Sequence, residues 1–336
     1  ITLSNATGTL GSASDAVRIA KRIIGFNEYN GEISNVVLWN SDQSSEISNI
    51  YNSGVPATSY TNTPTAWYKL DQSANWEADS TGAWQIPDAV SAYPQSFDFS
   101  GTNQNINLGN DASLYPSTND MSYSFWFKSN SLSSYKTIFG QGATDLNALN
   151  VGDKAVFITT LGDELRFFVC SNTGGFGNDS NNPFDTSNAN FVVNQWYHIV
   201  FTLDRDGDAV IYVNGTPNVT QAVKSSSTSV DIVDTDNSII GGVAYDFDGQ
   251  ISNFQIWNTV LPATGTNSVE TLYNNGVPLT TAISTDNLKA WYKLDNTATW
   301  TGSAYSVPDA SGNGNTGTSS GMTEQNLVNN NVSALN

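Results

Sequence analysis

The chain has 336 residues, enough for one large domain or two ordinary ones. Its 12 Lys and Arg stand against 31 Asp and Glu, a formal charge of −19, which argues against nucleic acid or an anionic membrane surface as partner. Only 13% of residues are charged, so Asn, Ser, Thr and Gly carry the surface polarity, and a single cysteine rules out an internal disulfide.

In chain order, "GEISNVVLWN" (Gly31 to Asn40) is followed by "SSEISNIYNSG" (Ser44 to Gly54). The second stretch reads as a short helix: a Ser can cap it, Ile and Tyr fall at helical spacing, and Gly stops it. "AWYKLD" (Ala66 to Asp71) precedes a turn-rich stretch, Trp76 to Tyr93, that sets Trp76, Trp84 and Tyr93 among polar residues. "SYSFWFKS" alternates, with Tyr123, Phe125 and Phe127 on one face, and "AVFITTL" and "ELRFFVC" are short β-branched and aromatic runs. Cys170 ends the second run and reads as a small buried hydrophobe. A long polar loop, Ser171 to Asn188, carries Phe176, Asn178, Asp179, Phe184 and Asp185. "QWYHIVFTLD" and "AVIYVNG" flank the acidic turn "RDGD", a hairpin signal. "SIIGG", "YDFDG" and "GQISNFQIWN" (Gly249 to Asn258) follow, then "NSVETLYNNG", a second "AWYKLD" (Ala290 to Asp295) and "PDASGNGN". Turns about every ten residues suit an all-β antiparallel sandwich of jelly-roll type. No run is apolar for long enough to span a bilayer as a helix, and no signal peptide is visible. The opening Ile1 fits a processed product or part of a longer chain.

The late stretches repeat the early ones. "GEISNVVLWN" and "GQISNFQIWN" share six of ten positions, "YNSGVP" returns as "YNNGVP", "AWYKLD" returns unchanged, and "IPDA" returns as "VPDA". A period of about 220 residues is a whole domain rather than a solenoid unit.

The order "SFDFSGTNQNINLGN", "YSFWFKS", "NQWYHIVFTLDRDGDAVIYVNG", "FDGQISNFQIWNTVL" and "VETLYNNG" resembles the laminin-G-like branch of the concanavalin A-like lectin/glucanase fold. The resemblance implies a β-sandwich whose modules open on an apolar strand ending in Leu-Asp, followed by an Asp-x-Ser-Gly-Asn-Gly-Asn segment. It implies boundaries: residues 1–62 as the end of one module, 63–282 as a complete module, and 283–336 as opening strands of a following one. An "AWYKLD" strand that pairs back into its own sandwich is the other reading of the same order. The Lys-poor, Asn-rich texture is similar to tandem modules in structural proteins of marine phages and surface proteins of marine bacteria.

Retaining glucanases of this fold carry two glutamates around an aspartate on one strand, with carboxyl groups roughly 5–5.5 Å apart. None of the seven glutamates forms that pattern, and the lone His198 sits inside a strand. The chain therefore reads as non-catalytic. A calcium site needs convergent carboxylate and carbonyl oxygens. The segment with Asp309, Asn313 and Asn315 resembles one that supplies cation ligands in related modules; Asp88 matches Asp309 in the first copy, and Asp246 and Asp248 are further candidates. A sugar site needs an aromatic platform with polar groups nearby, and the loop residues Trp76, Trp84, Tyr93, Phe176, Asn178, Asp179, Phe184 and Asp185 are the candidates. The expected function is a structural or adhesive surface protein, extracellular, on a virion or cell surface, with a glycan as possible ligand and assembly into a homo-oligomer. The rival is a carbohydrate-binding module tethered to a secreted polysaccharide-degrading enzyme.

Overall fold

A computed structural model of the chain describes residues 32–39, 41–56, 60, 64, 66–68, 70, 75–77, 83–85, 95–142, 154–171, 184–186, 189–223, 228, 230–232, 236–242 and 245–329. They fall into two compact units, residues 1–74 with 86–91, and residues 75–85 with 92–336.

In the first unit, strand β1 (Val36–Leu38) pairs antiparallel with β2 (Ala66–Tyr68), and the short helix α1 (Ile47–Tyr51) lies between them in sequence. Asn52 takes the left-handed conformation that ends α1, a role suited to Asn or Gly rather than to a branched side chain.

The second unit opens with a hairpin of β3 (Asn75–Glu77) and β4 (Ala83–Gln85), then β5 (Gln95–Asp98), β6 (Asn105–Asn107), β7 (Met121–Ser129), β8 (Lys136–Gln141), β9 (Lys154–Leu161), β10 (Glu164–Ser171) and β11 (Phe184–Asp185). It continues through β12 (Trp196–Leu203), β13 (Asp208–Val213), β14 (Thr216–Ala222), β15 (Ile239–Ile240), β16 (Gly249–Trp257) and helix α2 (Val269–Tyr273). The last strands are β17 (Leu288–Tyr292), β18 (Thr299–Trp300), β19 (Tyr305–Val307), β20 (Gly317–Ser320) and β21 (Leu327–Asn329). Two antiparallel sheets result. One has nine strands in the order β11-β10-β9-β8-β15-β6-β20-β19-β18. The other has eight: β14-β13-β12-β7-β16-β5-β21, with β17 also paired to β16.

The period-2 pattern sets what lies between the sheets. Tyr123, Phe125 and Phe127 of β7, Ile199, Phe201 and Leu203 of β12, and Phe254 and Ile256 of β16 meet Ile158, Leu165, Phe167 and Val169 of the other sheet in one buried core. A second apolar layer lies outside the eight-stranded sheet, where Val269 and Leu272 of α2 cover Val200, Tyr212, Trp257 and Trp291. Ser268 caps α2, its side chain accepting from the Thr271 amide.

The expected boundary at 282/283 is corrected. The second "AWYKLD" pairs back on β16, β20 pairs with β6, and β21 pairs with β5, so residues 288–329 complete both sheets of the same sandwich. Tyr292, Leu294, Tyr305 and Val307 lie in the main core, which explains the closure energetically. The first "AWYKLD" behaves alike: its β2 closes on β1 rather than opening the sandwich at residue 63.

Candidate functional site

On the outer face of the nine-stranded sheet, Asp185, Arg166, Thr159 and Thr137 form a row across β11, β10, β9 and β8, each directly opposite the next. Their neighbours Leu165, Phe167 and Ile158 point inward, so strand alternation turns this row outward. Arg166 is the focus. One guanidinium nitrogen donates to the Tyr135 hydroxyl at 2.7 Å, a second lies 3.3 Å from Glu164 Oε2, and Nε lies 3.7 Å from Asp185 Oδ1. The guanidinium carbon stands 5.6 Å from the centre of the Tyr135 ring. Burial alone would lower the Arg166 pKa, but Asp185, Tyr135 and Glu164 outweigh it and hold it above its ordinary value.

Tyr245 joins the row from the loop after β15. Its carbonyl accepts from the Thr137 amide at 2.8 Å, and its ring lies 6.2 Å from that of Tyr135. Both tyrosines are half-buried. Beside them, Thr159 Oγ1 and Asp246 Oδ1 are buried without a hydrogen-bond partner. The face thus offers two half-buried aromatic rings and a planar cation fixed by two carboxylates.

The structure sorts the expected site residues. Asp185 belongs to this face, but Phe184 does not: it is 1% exposed and packs on Phe201 at 5.6 Å, a core residue rather than a loop platform. Phe176, Asn178, Asp179, Tyr93 and Asp88 lie outside the described residues. Trp76 and Trp84 stand opposite one another in the β3–β4 register. Tyr135, Arg166 and Tyr245 were missed by sequence reasoning. The available signal was Arg166, a lone cation within the apolar run "ELRFFVC".

The cation candidates do not gather. Asp309 Oδ1 accepts from the Trp291 and Ser311 amides, and its Oδ2 accepts from the Asn315 amide. Asn313 donates to the Leu288 and Lys289 carbonyls, and Asn315 exchanges hydrogen bonds with Ser113. This is a loop staple whose carboxylate oxygens already have partners, and it does not fit a calcium ligand set. Asp248 accepts from the Asn130 amide side chain, so with Asp246 it leaves a pair short of a full site. Among the described residues no group of three or more His, Cys, Asp and Glu could hold a metal ion.

One pairing has the look of catalysis and lacks its substance. Ser124 Oγ lies 3.0 Å from His198 Nε2, yet both residues are 1% exposed and His198 Nδ1 has no hydrogen-bond partner. Burial drives the His198 pKa down to about 3, so it is a poor base at neutral pH.

Comparison with known proteins agrees with the two-sheet architecture. The family model described as the concanavalin A-like lectin/glucanases superfamily, of laminin-G type, matches residues 100–267, half of the chain. The chain belongs to this superfamily. No curated protein matches it. Among solved structures, a Bacteroides ovatus ATCC 8483 protein named for carbohydrate binding is 15% identical with a TM-score of 0.50, covering 90% of this chain and 88% of its own. At that identity it shows the superfamily fold. The CBM40 of the Ruminococcus gnavus IT-sialidase is 16% identical (TM-score 0.41, 50% of this chain, 94% of its own). Domain 4 of a GH43 extracellular arabinanase from Geobacillus stearothermophilus, in complex with arabinotriose, is 19% identical (TM-score 0.37, 60% and 81%).

Proposed function

We propose that the chain is a non-catalytic glycan-binding module, extracellular, displayed on a virion or cell surface, and that it holds sugar on the outer face of the nine-stranded sheet. The observation that carries this reading is the half-buried Tyr135 and Tyr245 pair beside the fixed Arg166 guanidinium. Sugars combine apolar C–H faces with hydroxyls, and a ring pair edged by guanidinium and carboxylate groups complements both. A net charge of −19 and an Arg166 already paired with Glu164 and Asp185 favour a neutral sugar over an acidic one. Glu164 and Asp185 are both engaged by the one guanidinium of Arg166, which suits positioning rather than acid and nucleophile work.

The test is a glycan array and titration calorimetry with the full chain, in calcium and in EDTA. Binding is expected in both, because the described carboxylates gather no cation. Tyr245→Ala should weaken it about ten-fold or more while shifting the unfolding midpoint little. No binding in either condition removes the glycan reading and leaves display alone. Gene neighbours encoding capsid and tail proteins would favour the virion; neighbours encoding a polysaccharide-degrading enzyme would favour the tethered module.

A further inference from the structure

His198 belongs to a stack of three rings on the outer face of the eight-stranded sheet. Its ring stands 5.0 Å from that of Trp126 on β7 and 5.9 Å, at 26°, from that of Tyr273 on α2. Tyr273 also stacks on Trp126, at 6.1 Å and 18°. Strand alternation sets this arrangement, because Tyr197 and Ile199 on either side of His198 point into the main core. Tyr273 rests on the turn between β13 and β14, where a Cβ on Gly215 would stand 2.9 Å from its ring. His198 and Trp126 are buried while Tyr273 is half-buried, so the tyrosine ring is the layer between the imidazole and solvent.

These surroundings suit only a neutral imidazole. Nε2 has Ser124 Oγ, whereas Nδ1 has no hydrogen-bond partner. An imidazolium carries a proton on both nitrogens, so charging the ring in place would bury a cation and a donor without an acceptor. The neighbours offer no counter-charge. β7 brings Ser124 and Trp126, with the cation Lys128 next along its outer face; β12 brings Trp196 and Val200. The β13–β14 turn brings Asn214, whose Oδ1 is taken by the His198 amide, and the phenol of Tyr212 lies two residues before it. α2 brings Tyr273, with Glu270 exposed one turn earlier. Burial is the cause of the depressed pKa, without a contribution from a charged group.

A protonated His198 must therefore reach water, and the packing decides which element yields. β7 and β12 are paired along eight residues, and β7 is also paired with β16, so parting them would break the sheet. The β13–β14 turn is tied to His198 by two hydrogen bonds, Asn214 N to the His198 carbonyl and the His198 amide to Asn214 Oδ1. α2 has five residues, lies outside the sheet and docks through Val269, Leu272 and the Tyr273 ring. Short outer elements open at lower free energy than central strands. We propose that α2 is an acid-released latch: protonation of His198 swings Tyr273 off the stack, hydrates Nδ1 and bares the apolar face around Trp126, Val200 and Tyr212 while the two sheets stay closed.

The test is amide hydrogen exchange of the full chain, read by mass spectrometry on segments 261–277, 121–129 and 196–203 and corrected for the intrinsic pH dependence of exchange. Ordinary carboxylates stay ionised between pH 7 and pH 5, so His198 is the group that titrates there. The opening equilibrium of α2 should rise about 20- to 30-fold over that range. At pH 5 protection of α2 should lie at least about ten-fold below that of β7 and β12. In His198→Phe, which keeps a ring in the stack, α2 protection should not depend on pH. An α2 opening that ignores pH overturns the proposal, as does a dependence that survives in His198→Phe. Exchange of α2 only together with β7 and β12 overturns it as well, because the whole sandwich would then be what opens. Should His198→Phe fail to fold, the comparison of α2 with β7 and β12 in the unaltered chain decides alone.

Discussion

His198 is the only histidine in the chain, and that makes its burial measurable. Its folded pKa of about 3, depressed by burial from the ordinary 6.5, means that between those values the unfolded chain holds a proton that the native chain does not. Stability then falls as pH drops below about 6.5, by roughly 1.4 kcal/mol per pH unit. Between pH 6.5 and 5 ordinary carboxylates stay ionised, so the slope there belongs to this imidazole. Urea unfolding at pH 7 and pH 5 should show a loss of about 2 kcal/mol, largely absent in His198→Phe; equal slopes in the two proteins would refute the burial account. Asn253 supports a different expectation. It takes a left-handed conformation (φ 50°) within β16 while its side chain accepts the buried Trp291 indole. Asn253→Gly should cost about 1–3 kcal/mol through the orphaned indole, and Asn253→Ala about 1 kcal/mol more through backbone strain, both read from denaturant midpoints.

At the scale of elements, alternation in "SYSFWFKS" and the Asp-Gly hairpin placed β7, β12 and β13 correctly, because one face of each meets the core with period 2. The other face of β7 was not legible. Ser122, Ser124 and Trp126 are buried too, against the loop at Thr259 and Leu261, His198 and Tyr273 of α2 respectively, a docking that no local pattern reveals. The Arg166 face was hidden for the same reason: Tyr135 and Tyr245 are brought together only by β8 lying against the loop after β15. The repeated Gly of "GEISN" and "GQISN" did carry information. A Cβ on Gly249 would stand 2.2 Å from the Lys128 carbonyl oxygen, a backbone atom that cannot turn aside. Gly249→Ala should force β16 and β7 apart and cost at least about 2 kcal/mol, measured by thermal unfolding.

For the whole molecule, the order of "AWYKLD" before an Asp-Ser-Gly-Asn segment suggested a new module, but antiparallel closure joins strands from distant parts of a chain, which linear order does not display. The consequence can be tested by truncation. Removing residues 283–336 would strip β17 from β16, β20 from β6 and β21 from β5, leaving edges of both sheets unpaired. It would also take Leu294, Val307 and Leu327, with Tyr292 and Tyr305, out of the core. At roughly 1.5–3 kcal/mol for each large apolar side chain, that loss rivals the ~5–15 kcal/mol that holds an ordinary domain together. A chain ending at residue 282 should therefore lose its cooperative unfolding transition and bind a hydrophobic dye. A folded 1–282 chain with an unchanged midpoint would instead restore the boundary there and make the last strands an accessory. The closing strands are then as much a part of the scaffold as the face that carries Arg166, because β6 links β20 to β15, and β15 links β6 to the β8 strand beside which Tyr245 sits.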